Sequence, residues 1–296
     1  MVRKEYINYI KDEANRIRKV YKLNANAPIG DYIFNILEKE CILVEWSESK
    51  QLDLDGLSTE KVINGRLETI VYINSAKSKE KQNFCAAHEL GHRYKLDRLI
   101  QDAFPDDVIL HDGIEDIMNR FAAELMMPEA DFRRRSVSYY KDYQQTLKGK
   151  KVISFKNLLV MTVQLMNFYY VPYRAVILRF GEIGFFTNAF IDELLTFEKS
   201  PGGKEIINEI IKQQGITRLR TPDHKTQYSV GIKSEKIRDI LADPNITKYM
   251  TTEELRKCLK NMGFTEESSK LIAEMRRIEQ ESIEIDDLKK PEKENN

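Results

Sequence analysis

Apolar residues return every three to four positions across residues 3–22, with Tyr6, Ile10, Ile17 and Tyr21 as anchors among charged positions. That rhythm predicts an amphipathic helix. Ala27-Pro28-Ile29-Gly30 interrupts it, and Asp31 to Glu40 predicts a short helix burying Ile33, Ile36 and Leu37. The period then changes. Ile42-Leu43-Val44-Glu45-Trp46 is β-branched and aromatic, as a strand favours. Asp55-Gly56-Leu57-Ser58 reads as a turn or strand edge. Lys61-Val62-Ile63 and Thr69-Ile70-Val71-Tyr72-Ile73 flank Asn64-Gly65, a dipeptide that suits a tight hairpin turn. From Ser78, a candidate N-cap, the helical rhythm resumes to about Leu96. It places Phe84, Ala87, His88, Gly91 and His92 on one broad face. Asp106-Asp107 and His111-Asp112-Gly113 mark a connection, and Ile114 to Met126 predicts a further helix stopped by Met127-Pro128.

Beyond residue 130 the pattern is mostly helical. Arg133-Arg134-Arg135 to Lys148-Gly149-Lys150-Lys151 is strongly basic, which fits a solvated helical face or a nucleic-acid or partner patch. Ser154 to Asn167 predicts a helix carrying Phe155, Leu158, Leu159, Val163 and Leu165. Val171-Pro172-Tyr173 breaks it, and Ala175 to Phe180 resumes. Two short helices with a small turn resemble helix-turn-helix geometry, although such pairs are far commoner as packing modules. Beyond Arg174 and Arg179 the second helix offers few base-reading groups. After Gly184 comes more helix, a break at Ser200-Pro201-Gly202-Gly203, and a continuation over Ile206 to Lys212. Thr217 to Tyr228 is polar and reads as loop. Thr251 and Glu254 form a capping box for a helix near 252–261, and another helix spans roughly 266–280. The tail from Pro291 to Asn296 has a disordered composition.

The chain has 296 residues, 42% hydrophobic and 32% charged, enough for a sizeable core and two domains. Its 47 basic and 47 acidic residues cancel, so net charge makes no case for a nucleic-acid binder. No apolar run approaches a membrane span, and Met1-Val2-Arg3-Lys4-Glu5 lacks the apolar core of a signal peptide. A cytoplasmic location without membrane contact is the expectation. Cys41, Cys85 and Cys258 are scattered and odd in number, which argues for reduced thiols and against a thiolate zinc site. Cys85, three residues before His88, reads as a core thiol rather than a nucleophile.

His88-Glu89-Leu90-Gly91-His92 is an H-E-x-x-H box. Histidines four apart leave the same face of a helix and can converge on one ion. Glu89 cannot reach that ion in the same way, but it can reach a water beside it. A hydrolytic zinc site needs a third protein ligand and an open position. Asp97, Asp102, Asp106, Asp107, Asp112, Glu115, Asp116 and Glu124 are downstream candidates. Glu115 is the best placed, near the start of the partner helix with Asn119 one turn on. Asn119 can fix a ligand histidine from outside the coordination sphere. Glu124 reads as a surface or salt-bridged glutamate. Gly91 costs about 1 kcal/mol relative to alanine inside a helix, so a close neighbour or the ion itself must justify it. Tyr72, Tyr94 and His111 could assist an oxyanion or the substrate, and each also has a plain packing or loop-capping reading. His224 reads as an ordinary surface histidine. Thr69–Ile73 could align an extended peptide as an added strand.

Ile70-Val71-Tyr72-Ile73-Asn74, Phe84-Cys85-Ala86-Ala87-His88-Glu89-Leu90-Gly91-His92 and Glu115-Asp116-Ile117-Met118-Asn119-Arg120-Phe121-Ala122-Ala123-Glu124-Leu125-Met126-Met127-Pro128 together resemble the ImmA/IrrE family of metallopeptidases. The resemblance covers roughly residues 25–130. It implies an α+β fold with a zincin-like metallopeptidase domain, a small antiparallel or mixed sheet and the H-E-x-x-H helix, and the periodicity beyond it adds a mostly helical C-terminal region. The expected boundaries are an N-terminal helix over 1–24, the metallopeptidase domain over 25–150, a helix-turn-helix-like segment over 151–184, a helical domain over 185–290 and a tail over 291–296. The resemblance also implies one Zn2+ held by His88, His92 and Glu115, with Glu89 catalytic and Asn119 matching. Family members cleave helix-turn-helix repressors in mobile elements and DNA-damage responses. The implied activity is endopeptidic cleavage of such a repressor or of an antitoxin-like partner. A regulatory protein that sequesters the repressor around a structural metal is the alternative, and a DNA binder acting through 154–180 is a third reading. The last hundred or so residues resemble nothing recognised.

Overall fold

The computed structural model describes residues 2–24, 27–46, 55–63 and 66–220. Asn64-Gly65, the capping box at Thr251, the helix at 266–280, His224, Cys258 and the tail lie outside them.

Helix α1 (Lys4–Val20) buries Tyr6, Ile10, Ala14 and Ile17, one stripe at helical spacing. Arg18 closes its end from inside the protein, donating to the carbonyls of Leu125 (2.8 Å), Asn24 (2.5 Å) and Ala27 (2.6 Å). Helix α2 (Tyr32–Glu40) buries Ile33, Phe34, Ile36 and Leu37 and leads directly into strand β1 (Ile42–Trp46). Strands β2 (Gly56–Ile63) and β3 (Arg66–Asn74) follow. The sheet order is β1-β3-β2. β3 lies between a parallel and an antiparallel neighbour, so the sheet is mixed. Pairing in β2 begins at Gly56, opposite Ile73, so of the two readings of this segment, turn or strand edge, the strand holds for Gly56–Ser58. Val71, Ile73 and Leu43 on one face join the main core.

Helix α3 (Lys79–Arg93) packs against that face. Ser78 sits at its N-cap, but the hydroxyl donates to Glu80 (2.7 Å) instead of accepting a backbone N–H. The helix stops at Arg93, short of Leu96, because Lys95 takes a left-handed conformation (φ 52°) and starts a separate helix, α4 (Leu96–Ala103). Helix α5 (His111–Met126) starts before Ile114, with His111-Asp112-Gly113 as its first turn. α5 lies close along α3 at Gly91. A Cβ there would sit 2.8 Å from Met118 Sδ and 3.0 Å from Phe121 Cδ1. The close neighbour that justifies this glycine is therefore α5.

The basic stretch divides between helix α6 (Glu129–Tyr143) and a hairpin of β4 (Gln144–Leu147) and β5 (Lys150–Ile153). Lys148 and Gly149 make the turn with φ of 50° and 75°. Helices α7 (Phe155–Tyr169) and α8 (Tyr173–Glu182) form the expected pair, burying Leu158, Leu159, Val163, Leu165, Val176, Ile177 and Phe180. Arg179 is a correction. It is fully buried, pairing with Glu124 (2.6 Å) and Glu182 (2.7 Å) and donating to the Met127 carbonyl (3.1 Å), so it cannot read DNA. Helices α9 (Asn188–Lys199) and α10 (Pro201–Gln213) follow. Ser200-Pro201 starts α10: Ser200 accepts from the Gly203 amide (3.0 Å) and Pro201 occupies the first turn, where its missing N–H costs nothing. One contiguous core runs from Tyr6 to Leu219 across residues 24, 150 and 184. Among the described residues no helix is long and apolar enough to cross a membrane.

Candidate metal centre

Two helices supply the site. α3 projects His88 and His92 from adjacent turns, and α5 brings Glu115 opposite them. His88 Nε2 stands 3.2 Å from Glu115 Oε2, His92 Nε2 stands 3.5 Å from Glu115 Oε1, and the two Nε2 atoms are 3.2 Å apart. Tetrahedral donors at the usual zinc distance of about 2.0–2.1 Å stand about 3.3 Å from one another. The triangle therefore has the size that a small dication requires. Among the described residues this is the one histidine–carboxylate group whose ligand atoms lie close enough to share an ion.

Asn119, one turn after Glu115 on α5, places Oδ1 3.1 Å from His88 Nδ1. A carbonyl oxygen there assigns the proton to Nδ1 and leaves the Nε2 lone pair directed at the triangle. The electrostatics follow from burial and proximity. Burial pulls the His88 pKa down, but the hydrogen bond to Glu115 and the charges of Glu89 and Glu115 leave it raised overall. His92 is lowered, first by burial and then by the charge of His88. The bond to His88 holds Glu115 below its usual value despite partial burial.

Glu89 lies beside the triangle and outside it. It is buried at 4% exposure, and burial pushes its carboxyl up to about 7, opposed by the charge of His88 and by a hydrogen bond from Ser58 on β2. A bound dication would draw it back toward the ionised form. A buried carboxylate beside the triangle can take a proton and return it.

The three suggested helpers occupy different places. Tyr94 follows His92 by two residues and so leaves another side of the helix. Its hydroxyl bonds with Glu40 and Tyr21, away from the triangle. Tyr72 is buried on β3 and alternates with Val71 and Ile73, so it points away from α3. His111 is exposed, one turn before Glu115 on α5, and its charge acts on both Glu115 and His92. β3 is paired along both edges and cannot accept an added strand, whereas β2 is paired on one side only among the described residues. Glu124, like Arg179, belongs to the buried ion pairs and faces away from the site. Asp107 is held by Tyr6 (2.6 Å) and Arg3. Sequence reading did not single out Ser58 as a site residue. Its position follows from strand register, which the residues around it do not disclose.

Residues 42–180 match the family model Peptidase_M78, described as the IrrE N-terminal-like domain. No curated protein and no solved structure gives a match.

Proposed function

From a chain that carries an IrrE N-terminal-like, metallopeptidase-type domain over residues 42–180, we propose a zinc-dependent endopeptidase of zincin-like architecture that cleaves a helix-turn-helix repressor or an antitoxin-like partner. The observation that carries this reading is the His88–His92–Glu115 triangle with Glu89 set just behind it. Two imidazoles and one carboxylate suit zinc and leave room for a fourth, exchangeable position. A zinc ion held there would supply Lewis acidity toward water and toward the scissile carbonyl. Glu89 takes the proton of the attacking water and passes it to the departing amine nitrogen. Asn119 keeps His88 in the metal-binding tautomer. His111, exposed in the first turn of α5, is the candidate side chain to meet the substrate. The unpaired side of β2 offers backbone groups to an extended segment, which favours cleavage in a linker over cleavage in a folded strand.

The test is co-incubation with a helix-turn-helix protein encoded near its gene, with and without a chelator, read by mass spectrometry. A single pair of fragments that disappears on chelation is the expected result. Glu89→Gln should keep one zinc per chain and keep repressor binding, while cleavage falls by about 10²–10⁴-fold. If the variant still relieves repression fully, the protein acts by sequestration.

A further inference from the structure

β2 runs alongside α3 with a matched repeat. The face of β2 that meets the helix is fixed by register: Gly56 lies opposite Ile73 and Ser58 opposite Val71, and both partners point into the core beneath α3. A Cβ on Gly56 would collide with Cys85 Sγ and lie 2.6 Å from the Tyr72 carbonyl oxygen, so the strand and helix touch there. Two residues further along the strand, Ser58 meets Glu89, four residues further along the helix. Two strand residues advance about 6.6 Å and four helix residues about 6.0 Å, so the two elements stay in step. Two residues on, Glu60 pairs with Lys95 (2.8 Å), which lies past the end of the helix. Gly56 lets the strand approach, and Glu60–Lys95 pins the far end. Ser58 is held between them against a carboxylate whose Oε2 has no hydrogen-bond partner.

We infer that Ser58 is a positioning residue for Glu89: its hydroxyl donates to one carboxylate oxygen and so directs the other toward the water beside the metal triangle. This deepens the endopeptidase reading and rests on it. Among the described residues the other edge of β2 is unpaired, so the residue that orients the base and the edge proposed to align the peptide lie on one strand.

The test uses the full-length, zinc-loaded chain carrying Ser58→Ala or Ser58→Thr. The substrate is whichever repressor the wild type cleaves. Crystal structures of the zinc-loaded wild type and Ser58→Ala are solved in parallel. Losing orientation alone should cost about tenfold in kcat, less than the 10²–10⁴-fold of losing the base itself. KM should stay within about twofold and zinc at one per chain, because only a group acting on the reaction step lowers kcat alone. Ser58→Thr, which keeps the hydroxyl on a β-branched frame, should restore most of the rate. In the crystals Glu89 should turn away from its wild-type direction in Ser58→Ala. Unchanged kcat in Ser58→Ala, a loss confined to KM, or an unmoved Glu89 carboxylate would overturn the assignment. Should the wild type cleave nothing, the endopeptidase reading fails, and the direction of Glu89 in the two crystals still decides the role of Ser58.

Discussion

Helix α5 carries two glutamates that face basic partners, and they differ in what completes them. Glu124 is buried among Arg120 (2.9 Å) and Arg179 (2.6 Å), and Glu182 bridges the same two guanidiniums at 3.1 and 2.7 Å. Those partners are permanent cations, so the cluster balances its own charge. Glu115, two and a half turns earlier, faces His88 and His92 at a half-open surface. Imidazoles are neutral over much of the physiological range and offer lone pairs, so a carboxylate and two lone pairs point at one spot where a positive charge belongs. A carboxylate among guanidiniums is a structural tie, and the same group among imidazoles is a ligand set. Residue type alone does not distinguish them, since both are glutamates on one amphipathic helix.

The largest effect expected from testing this contrast is on folding. Glu124→Ala leaves two buried guanidiniums sharing Glu182 alone, and this uncompensated buried charge should destabilise the chain by about 3 kcal/mol, equally with and without zinc, as read by denaturant unfolding. Glu115→Ala should leave the unfolding midpoint of the metal-free chain nearly unchanged. It should weaken zinc binding by more than about a hundredfold, the upper range for losing an outer partner only, as measured by competition with a chromophoric chelator. A zinc-dependent loss of stability in Glu124→Ala, or a zinc-independent one in Glu115→Ala, would break the distinction. Asn119→Ala should cost about tenfold in zinc affinity, since the His88 tautomer is no longer fixed. The smallest effect is one of pH. Zinc can bind only when His88 gives up its proton, and despite burial, which lowers it, the hydrogen bond to Glu115 and the charges of Glu89 and Glu115 leave the His88 pKa raised above its ordinary 6.5. Zinc affinity should therefore fall as pH drops, starting above 6.5, because the metal-free form gains the proton that the bound form lacks. Arg179, raised by the charge of Glu124 despite burial, does not titrate in that window, so the structural tie should hold while the zinc leaves. Isothermal titration with zinc between pH 8 and pH 6 reads the first, and unfolding at the same pH values reads the second.

Much of the site was legible because it is local. His88, Glu89 and His92 share one helix, and Glu115 and Asn119 share another, so spacing alone groups them by face. The ions and packing between elements were not. Glu124 and Arg179 lie far apart in sequence, and nothing near either residue reveals that they meet. The first half of β2 was left open between turn and strand edge because Gly56-Leu57-Ser58 lacks the apolar alternation of a strand, and its pairing is with β3, outside that local pattern. The β4–β5 hairpin was hidden for a similar reason: Gln144 to Ile153 is mostly exposed, so no buried face marks its period, and Lys148-Gly149 turns it in place of the Asn-Gly signal. At Ser200-Pro201 the residues were correctly seen as a break, but proline at a helix start looks the same as proline after a helix end until the cap is visible.

Gly91 gives the two-helix construction its narrowest tolerance. Met118 and Phe121 already press on the space where a side chain would begin, so the gap between the ligand histidines and Glu115 is set by a missing methyl group one residue before His92. Gly91→Ala would act as a shim driven between the helices. The ligand triangle would then be prised open, so the glycine sets how closely the two ligand-bearing helices can stand.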